Sequence, residues 1–136
     1  MNVNYPITRI LIVDENKEHG ELLCRQLKTS NRHIILADTT SKARKSICEY
    51  QHDVILIDTD VKGDECINLL KILHEDESYR ATIFVMSKYE NLSKRISCFI
   101  YGAKKYFVKP LNVSEINNEL TLIENRYNCE KSKLIS

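Results

Sequence analysis

The sequence predicts an α/β fold built on a five-stranded parallel sheet with helices on both faces. Three observations point there. Short apolar runs alternate with amphipathic stretches along the whole chain. Two of the runs, Ile10-Leu11-Ile12-Val13 and Val54-Ile55-Leu56-Ile57, are continuously apolar, as strands buried on both faces must be. Both runs end in acid, at Asp14-Glu15 and at Asp58, where a strand would leave the core.

In chain order, the first strand is expected near 8–14, followed by a helix near 17–30. A second strand, His33 to Ala37, leads to a helix near 40–50. The third strand covers 53–58, with a helix near 64–75. The fourth lies near 81–86 and its helix near 90–101, where Leu92, Ile96, Phe99 and Ile100 recur at helical spacing and Gly102 suits the stop. The fifth strand is expected near 104–108 and the last helix over 113–127. Asn112 can cap that helix, with Glu115 three residues on, and Val113, Ile116, Leu120, Ile123 and Tyr127 form its apolar stripe. Both stripes read as core packing. Residues 128–136, NCEKSKLIS, read as a polar, frayed tail after one domain over 1–127.

A chain of 136 residues is near the commonest size for one domain and should bury roughly two-thirds of its unfolded surface. Hydrophobic residues at 43%, charged residues at 29% and a formal charge of +1 are ordinary for a globular protein and give no reason to expect nucleic acid or membrane as partner. The start MNVNYPITR lacks the pattern of a signal peptide, and no apolar run could span a bilayer. Cys24, Cys48, Cys66, Cys98 and Cys129 are odd in number and contain no CxxC pair, which suits reduced thiols in the cytoplasm. The histidines His19, His33, His52 and His74 do not cluster with them as a zinc site would need.

In an open α/β sheet, ligands sit beyond the C-terminal ends of the strands. Here those ends carry Asp14 and Glu15, Asp58, Ser87, and Lys109-Pro110. Singly, each has a plain role: a helix cap, a turn, an element stop. Together they place three acids, a hydroxyl and an ammonium at one edge. Acidic oxygens bind Mg²⁺, a carboxylate can accept a phosphoryl group, and a hydroxyl and a lysine can hold the transferred oxygens. No phosphate-binding glycine loop is present, and there are only three glycines, so ATP is not expected as direct donor.

With those residues in place, the chain resembles a response-regulator receiver domain of two-component signalling, the CheY-like family, over about residues 8–127. The segments ILIVDEN, DVILIDTDVKGDECINLLKIL, IFVMSKYEN and YGAKKYFVKPLN carry the likeness, in order. The resemblance implies a flavodoxin-like (βα)5 fold with strand order 2-1-3-4-5. It implies Asp58 as phosphoacceptor and Asp14, Glu15, Asp58 and the Asp60 backbone carbonyl as Mg²⁺ ligands. Ser87 and Lys109 would hold the phosphoryl group, Lys109-Pro110 would be cis, and Tyr106 would turn inward on activation. A histidine kinase or histidine phosphotransfer protein would be the donor. The surface of the fourth helix, fifth strand and fifth helix would carry the output, to a partner, an output domain or a second copy. Turnover would be limited to self-phosphorylation from small phosphodonors and self-dephosphorylation. Lys94, Arg95, Lys104 and Lys105 make that surface basic, which reads first as a solvated face.

The chain departs from the family pattern at Val61-Lys62-Gly63, at Cys66 in place of a glycine, and at Lys88 after the hydroxyl. The departures at Val61, Lys62 and Lys88 keep open a phosphorylation-independent interaction module on the same fold. A flavin-binding or hydrolytic scaffold is disfavoured, because Asp14-Glu15-Asn16 would repel a phosphate after the first strand.

Overall fold

The computed structural model describes residues 7–60 and 65–135, with side chains as far as 126. Elements alternate as expected: β1 (Thr8–Val13), α1 (Lys17–Leu27), β2 (Arg32–Ala37), α2 (Thr40–Glu49), β3 (Val54–Asp58), α3 (Glu65–Glu75), β4 (Thr82–Ser87), α4 (Leu92–Ile100), β5 (Ala103–Val108) and α5 (Val113–Ile135). The strands form one sheet in the order β2-β1-β3-β4-β5, and every pairing is parallel. This is the receiver-type, flavodoxin-like order that the resemblance implied.

Side chains of a strand alternate between faces, so each apolar run feeds two cores. Leu11, Val13, Ile55, Ile57 and Val85 point to one face and pack with Ala43, Leu69, Leu70, Leu73 and Cys98 from α2, α3 and α4. Ile10, Ile12, Val54, Leu56, Phe84 and Met86 point to the other and pack with Leu23, Leu27, Ile116 and Leu120 from α1 and α5. Burial on both faces explains why β1 and β3 read as unbroken apolar runs rather than alternating ones.

Local chemistry sets the helix starts. Asn16, Thr39, Asn91 and Asn112 each accept, through a side-chain oxygen, the backbone N–H three residues on, at 3.0–3.2 Å. Gly102 closes α4 at φ 92°, a left-handed conformation natural to glycine, and its N–H donates to the Phe99 carbonyl at 3.1 Å. The Lys109-Pro110 bond is cis.

Three expectations need correction. α1 ends at Leu27 rather than near residue 30, because Thr29 and Asn31 turn the chain into β2. The expected frayed tail is helical as far as Ile135; 128–135 contains neither glycine nor proline, so nothing interrupts α5. The α4 stripe is not core: Leu92 and Ile100 are 72% and 64% exposed, Ile96 and Phe99 are also exposed, and Cys98 is the buried residue of this helix. The α5 stripe does pack, with Ile116 and Leu120 fully buried; Tyr127 lies beyond the described side chains. Val61-Lys62-Gly63 also lies outside the described residues. Among the described residues, no helix is long and apolar enough to cross a membrane.

Two buried polar groups tie the layers together at the edge opposite the acids. The Arg32 guanidinium donates to the Leu27 carbonyl at 2.8 Å, to Asn117 Oδ1 at 2.7 Å and to Glu124 Oε1 at 2.7 Å and 3.0 Å, clamping β2 to α1 and α5. His52, between α2 and β3, is buried; its Nε2 bonds Ser46 Oγ at 2.8 Å, while Nδ1 has no hydrogen-bond partner among the described residues. Burial pushes this imidazole below its ordinary value.

Arg32→Ala should cost about 3 kcal/mol in urea denaturation, since it strands a half-buried Glu124 and two further acceptors. His52 binds its proton less readily folded than unfolded, so its contribution to stability is complete above the unfolded value of about 6.5 and is lost as pH falls from there towards the lower folded value. Melting temperatures across that window should fall more steeply for the wild type than for His52→Gln.

Candidate functional site

The polar strand ends converge on a cleft of about 440 Å³, lined by Asp14, Glu15, Asn16, Asp58, Asp60, Lys88 and Lys109. Parallel pairing accounts for this: the register that sets Val13 beside Ile57, and Asp58 beside Met86, brings the following residues to one edge. A larger cleft, about 520 Å³, lies at the other end of the sheet around Asp53, Arg80, Lys104 and Arg126; among the described residues Asp53 is its single carboxylate.

Asp14 follows β1 and is 1% exposed. Its Oδ1 accepts the Asn16 N–H at 3.0 Å, and its Oδ2 is in close contact with His19 Nδ1. α1 approaches closely enough for this contact because Gly20 lets it: a Cβ there would stand 2.6 Å from Leu36 Cδ1 and 3.3 Å from Asp14 Cβ. Burial holds Asp14 above the ordinary carboxylate value despite the His19 contact, and the Asp58 charge adds to the rise.

Asp58 ends β3 at 4% exposure. Its Oδ1 accepts the Asp60 N–H at 2.9 Å and its Oδ2 takes Lys109 Nζ at 2.5 Å. Burial alone would lower Lys109, but the hydrogen bond and charge of Asp58, then those of Asp60, outweigh it and hold the ammonium above its ordinary value. The Cys66 thiol donates to the Asp58 backbone carbonyl at 3.0 Å. Burial and then the Asp58 charge push that thiol up to about 12, so it stays protonated and is a poor nucleophile.

Asp60 was expected to contribute its backbone carbonyl; its side chain also enters the site. Ser87 Oγ donates to Asp60 Oδ1 at 2.9 Å and the Lys88 N–H donates to Oδ2 at 2.8 Å. Lys109 Nζ stands 3.2 Å from Oδ2 and Lys94 Nζ 3.7 Å from Oδ1. Burial raises Asp60, yet the Lys88 amide, Ser87 and Lys109 together bring it below the ordinary value. Ser87 is fully buried and accepts from the Tyr89 N–H at 3.1 Å and Lys94 Nζ at 3.2 Å. Tyr106 is buried, its hydroxyl donating to the Tyr89 carbonyl at 2.8 Å.

The site therefore gathers Asp14, Asp58, Asp60, Ser87 and Lys109, with Glu15 exposed at the rim. Sequence reasoning missed two members. His19 is one: ligand atoms of Asp14, His19 and Asp58 lie within 4.8 Å of one another. Lys94, read as part of a solvated face, reaches into the site and donates to the Thr59 carbonyl at 3.1 Å. The sequence signals were slight: His19 falls one turn into the helix after Asp14, and Lys94 falls in the first turn of α4. Lys88, one of the departures from the family pattern, turns its ammonium over the Tyr89 ring at 5.1 Å.

The donor set suits a metal cation. Two buried carboxylates face each other, and the nearby Lys109 serves Asp58 and Asp60, leaving Asp14 with the Asn16 N–H and His19 as its partners among the described residues. Oxygen-rich, half-open and short of positive charge on the Asp14 side, the cleft is chemically matched to a divalent ion.

Comparison with known proteins bears on the family and the fold. The family model described as the response regulator receiver domain matches residues 10–121. The chain is similar to the two-component response regulator-like PRR1 of Oryza sativa subsp. japonica, 27% identical over 121 residues covering 87% of this chain and 23% of that protein. It is similar to the two-component response regulator ARR7 of Arabidopsis thaliana, 22% identical and covering 100% of this chain and 71% of that protein. Among the curated relatives, the chain thus spans under a quarter of the rice protein but most of ARR7. Of solved structures, a CheY-like receiver domain protein from Methanospirillum hungatei JF-1 superposes with a TM-score of 0.80 at 20% identity, over 91% of this chain and 98% of that one. A two-component response regulator from Clostridium difficile gives 0.79 at 24% identity, over 89% and 98%. At such identities the structural likeness concerns the fold.

Asp14→Asn should raise the stability of the metal-free protein by about 1 kcal/mol, because it removes a buried charge that Asp58 opposes while keeping the side chain's shape. Urea denaturation in the presence of a chelator measures it; a loss of stability would show that the His19 contact outweighs the burial penalty.

Proposed function

This chain belongs to the response regulator receiver domains of two-component signalling, and from that premise we propose that it is a phosphorelay switch whose phosphoacceptor is Asp58. The observation that carries the reading is the Asp58 carboxylate at the end of β3, in a cleft with Asp14 on one side and Lys109 at 2.5 Å on the other. In the proposed reaction an Asp58 oxygen attacks the phosphorus of a phosphohistidine presented by a histidine kinase or a histidine phosphotransfer protein. The P–N bond breaks, an acyl phosphate forms, and the imidazole leaves with the electron pair of that bond and is neutralised by a proton.

Mg²⁺ is the proposed cofactor, held by Asp14, Glu15, Asp58 and the Asp60 carbonyl; bound there, it supplies charge screening between carboxylate and phosphoryl oxygens. Lys109, already paired with Asp58, neutralises the nucleophile's neighbourhood and then holds a phosphoryl oxygen. Ser87 offers its hydroxyl to another. Its link through Tyr89 to Tyr106 supports a switch role for both residues. The exposed Leu92, Ile96 and Ile100 of α4 support an output surface over α4, β5 and α5, for a partner, an output domain or a second copy.

A phosphorylation-independent interaction module is the second reading. It is favoured by one observation, that Asp60 already engages Ser87 and Lys109.

Incubation with acetyl phosphate and Mg²⁺ should add one phosphoryl group to the intact mass of the wild type and none to Asp58→Asn. An unmodified wild type, or an equal adduct on the variant, refutes Asp58 as the acceptor.

A further inference from the structure

A phosphoryl group on Asp58 would need donors for its terminal oxygens, and the donors at hand are the Ser87 hydroxyl, the Lys88 amide and the Lys109 ammonium. All three reach one side chain of the chain itself, Lys109 while also paired with Asp58. Asp60 Oδ1 accepts from Ser87 Oγ at 2.9 Å. Asp60 Oδ2 accepts from the Lys88 N–H at 2.8 Å and lies 3.2 Å from Lys109 Nζ. Lys94, from the first turn of α4, adds a second ammonium 3.7 Å from Oδ1. A carboxylate here has the anionic charge and the acceptor oxygens that a phosphoryl group would bring.

The contacts continue beyond the site. Ser87 Oγ accepts from the Tyr89 N–H at 3.1 Å, and the Tyr89 carbonyl accepts the Tyr106 hydroxyl at 2.8 Å. Tyr106 is packed into the core beneath α4, with Arg95 of that helix 5.6 Å above its ring. A continuous path of this chain's own groups therefore joins Asp60 to Tyr106, and Lys94 joins Asp60 to α4.

We propose that the Asp60 carboxylate is an internal surrogate for the transferred phosphoryl group: it holds Ser87, the Lys88 amide and Lys109 in their engaged arrangement, sets Tyr106 and α4 before any transfer, and must be displaced when Asp58 is phosphorylated. The displacement step rests on the phosphoacceptor reading above; the positioning role of Asp60 does not. Asp60 is a positioning residue, acting through Ser87 and Tyr89 on the surface.

The test compares wild type, Asp60→Ala and Asp60→Asn by amide NMR and hydrogen exchange, each without and with beryllofluoride and Mg²⁺ as the phosphoryl mimic. Without the mimic, the Lys88 amide of Asp60→Ala should exchange roughly tenfold faster, the factor expected for losing one charge-assisted hydrogen bond. Resonances of Tyr89, Tyr106 and α4 should move with it. Asp60→Asn, which keeps an acceptor but loses the charge, should fall between and guards against a packing defect in the alanine variant. Adding beryllofluoride should bring both variants to the pattern of the mimic-bound wild type in α4 and β5, and should move the wild type there less than either variant. Such rescue would not follow from a merely structural role. Unchanged Lys88 exchange and Tyr106 resonances in Asp60→Ala would overturn the proposal, as would a wild-type response to the mimic in α4 and β5 as large as the variants'. Failure of all three proteins to take up beryllofluoride would refute Asp58 as acceptor and with it the displacement step, while the comparison without the mimic still decides the role of Asp60.

Discussion

Every strand of this sheet runs the same way, and that polarity constrains everything else. Parallel neighbours cannot be joined by tight turns, so a helix must carry the chain back after each strand and cover a face. The strands are then buried on both sides and must be apolar throughout, as β1 and β3 are. Polar residues are confined to the strand ends, and the C-terminal ends all share one edge. The gathering of Asp14, Asp58, Ser87 and Lys109 is thus a consequence of chain direction rather than of any local attraction among them.

Charge then divides the cleft. On the α4 side, Asp58 and Asp60 meet Lys109, and Asp60 is also close to Lys94. On the α1 side, Asp14 has His19 and the exposed Glu15 beside it. Desolvation makes an unbalanced buried charge costly, and a cation on the acid side and an anion on the lysine side are the two ligands that would relieve it. Asp58 stands at the boundary and touches both halves. This is why a single carboxylate can be proposed both as metal ligand and as phosphoryl acceptor without contradiction.

The sequence made the frame legible where one residue pattern had one physical meaning. Continuous apolar runs ending in acid marked β1 and β3, and Asn112 with Glu115 marked the start of α5. Legibility failed where meaning depends on a neighbour. The helical spacing of Leu92, Ile96, Phe99 and Ile100 reveals a face but not what covers it, and most of that face is exposed. The Lys94 side chain was assigned to solvent because its reach into the site depends on where α4 crosses the end of β4. His19 joins Asp14 only because Gly20 lets α1 lie close to β1 and β2. The Asp60 side chain could not be placed from the residue type, since an acid after a strand is ordinarily solvated or caps the next helix.

The weak packing of α4 bears directly on how a signal could leave the cleft. Like α2 with Ala43, it buries a single apolar side chain, Cys98, and its apolar stripe is turned outward. An element with few buried apolar contacts opens or shifts at small free-energy cost. Its first turn is nevertheless tethered to the site, by Lys94 to the Thr59 carbonyl, Ser87 and Asp60. A helix that turns its apolar stripe to the surface is thus tied at its first turn to the cleft's own charges. A change in the charge that Lys94 and Ser87 face therefore acts directly on α4, through Lys94, at a helix whose apolar stripe is not fixed in the core.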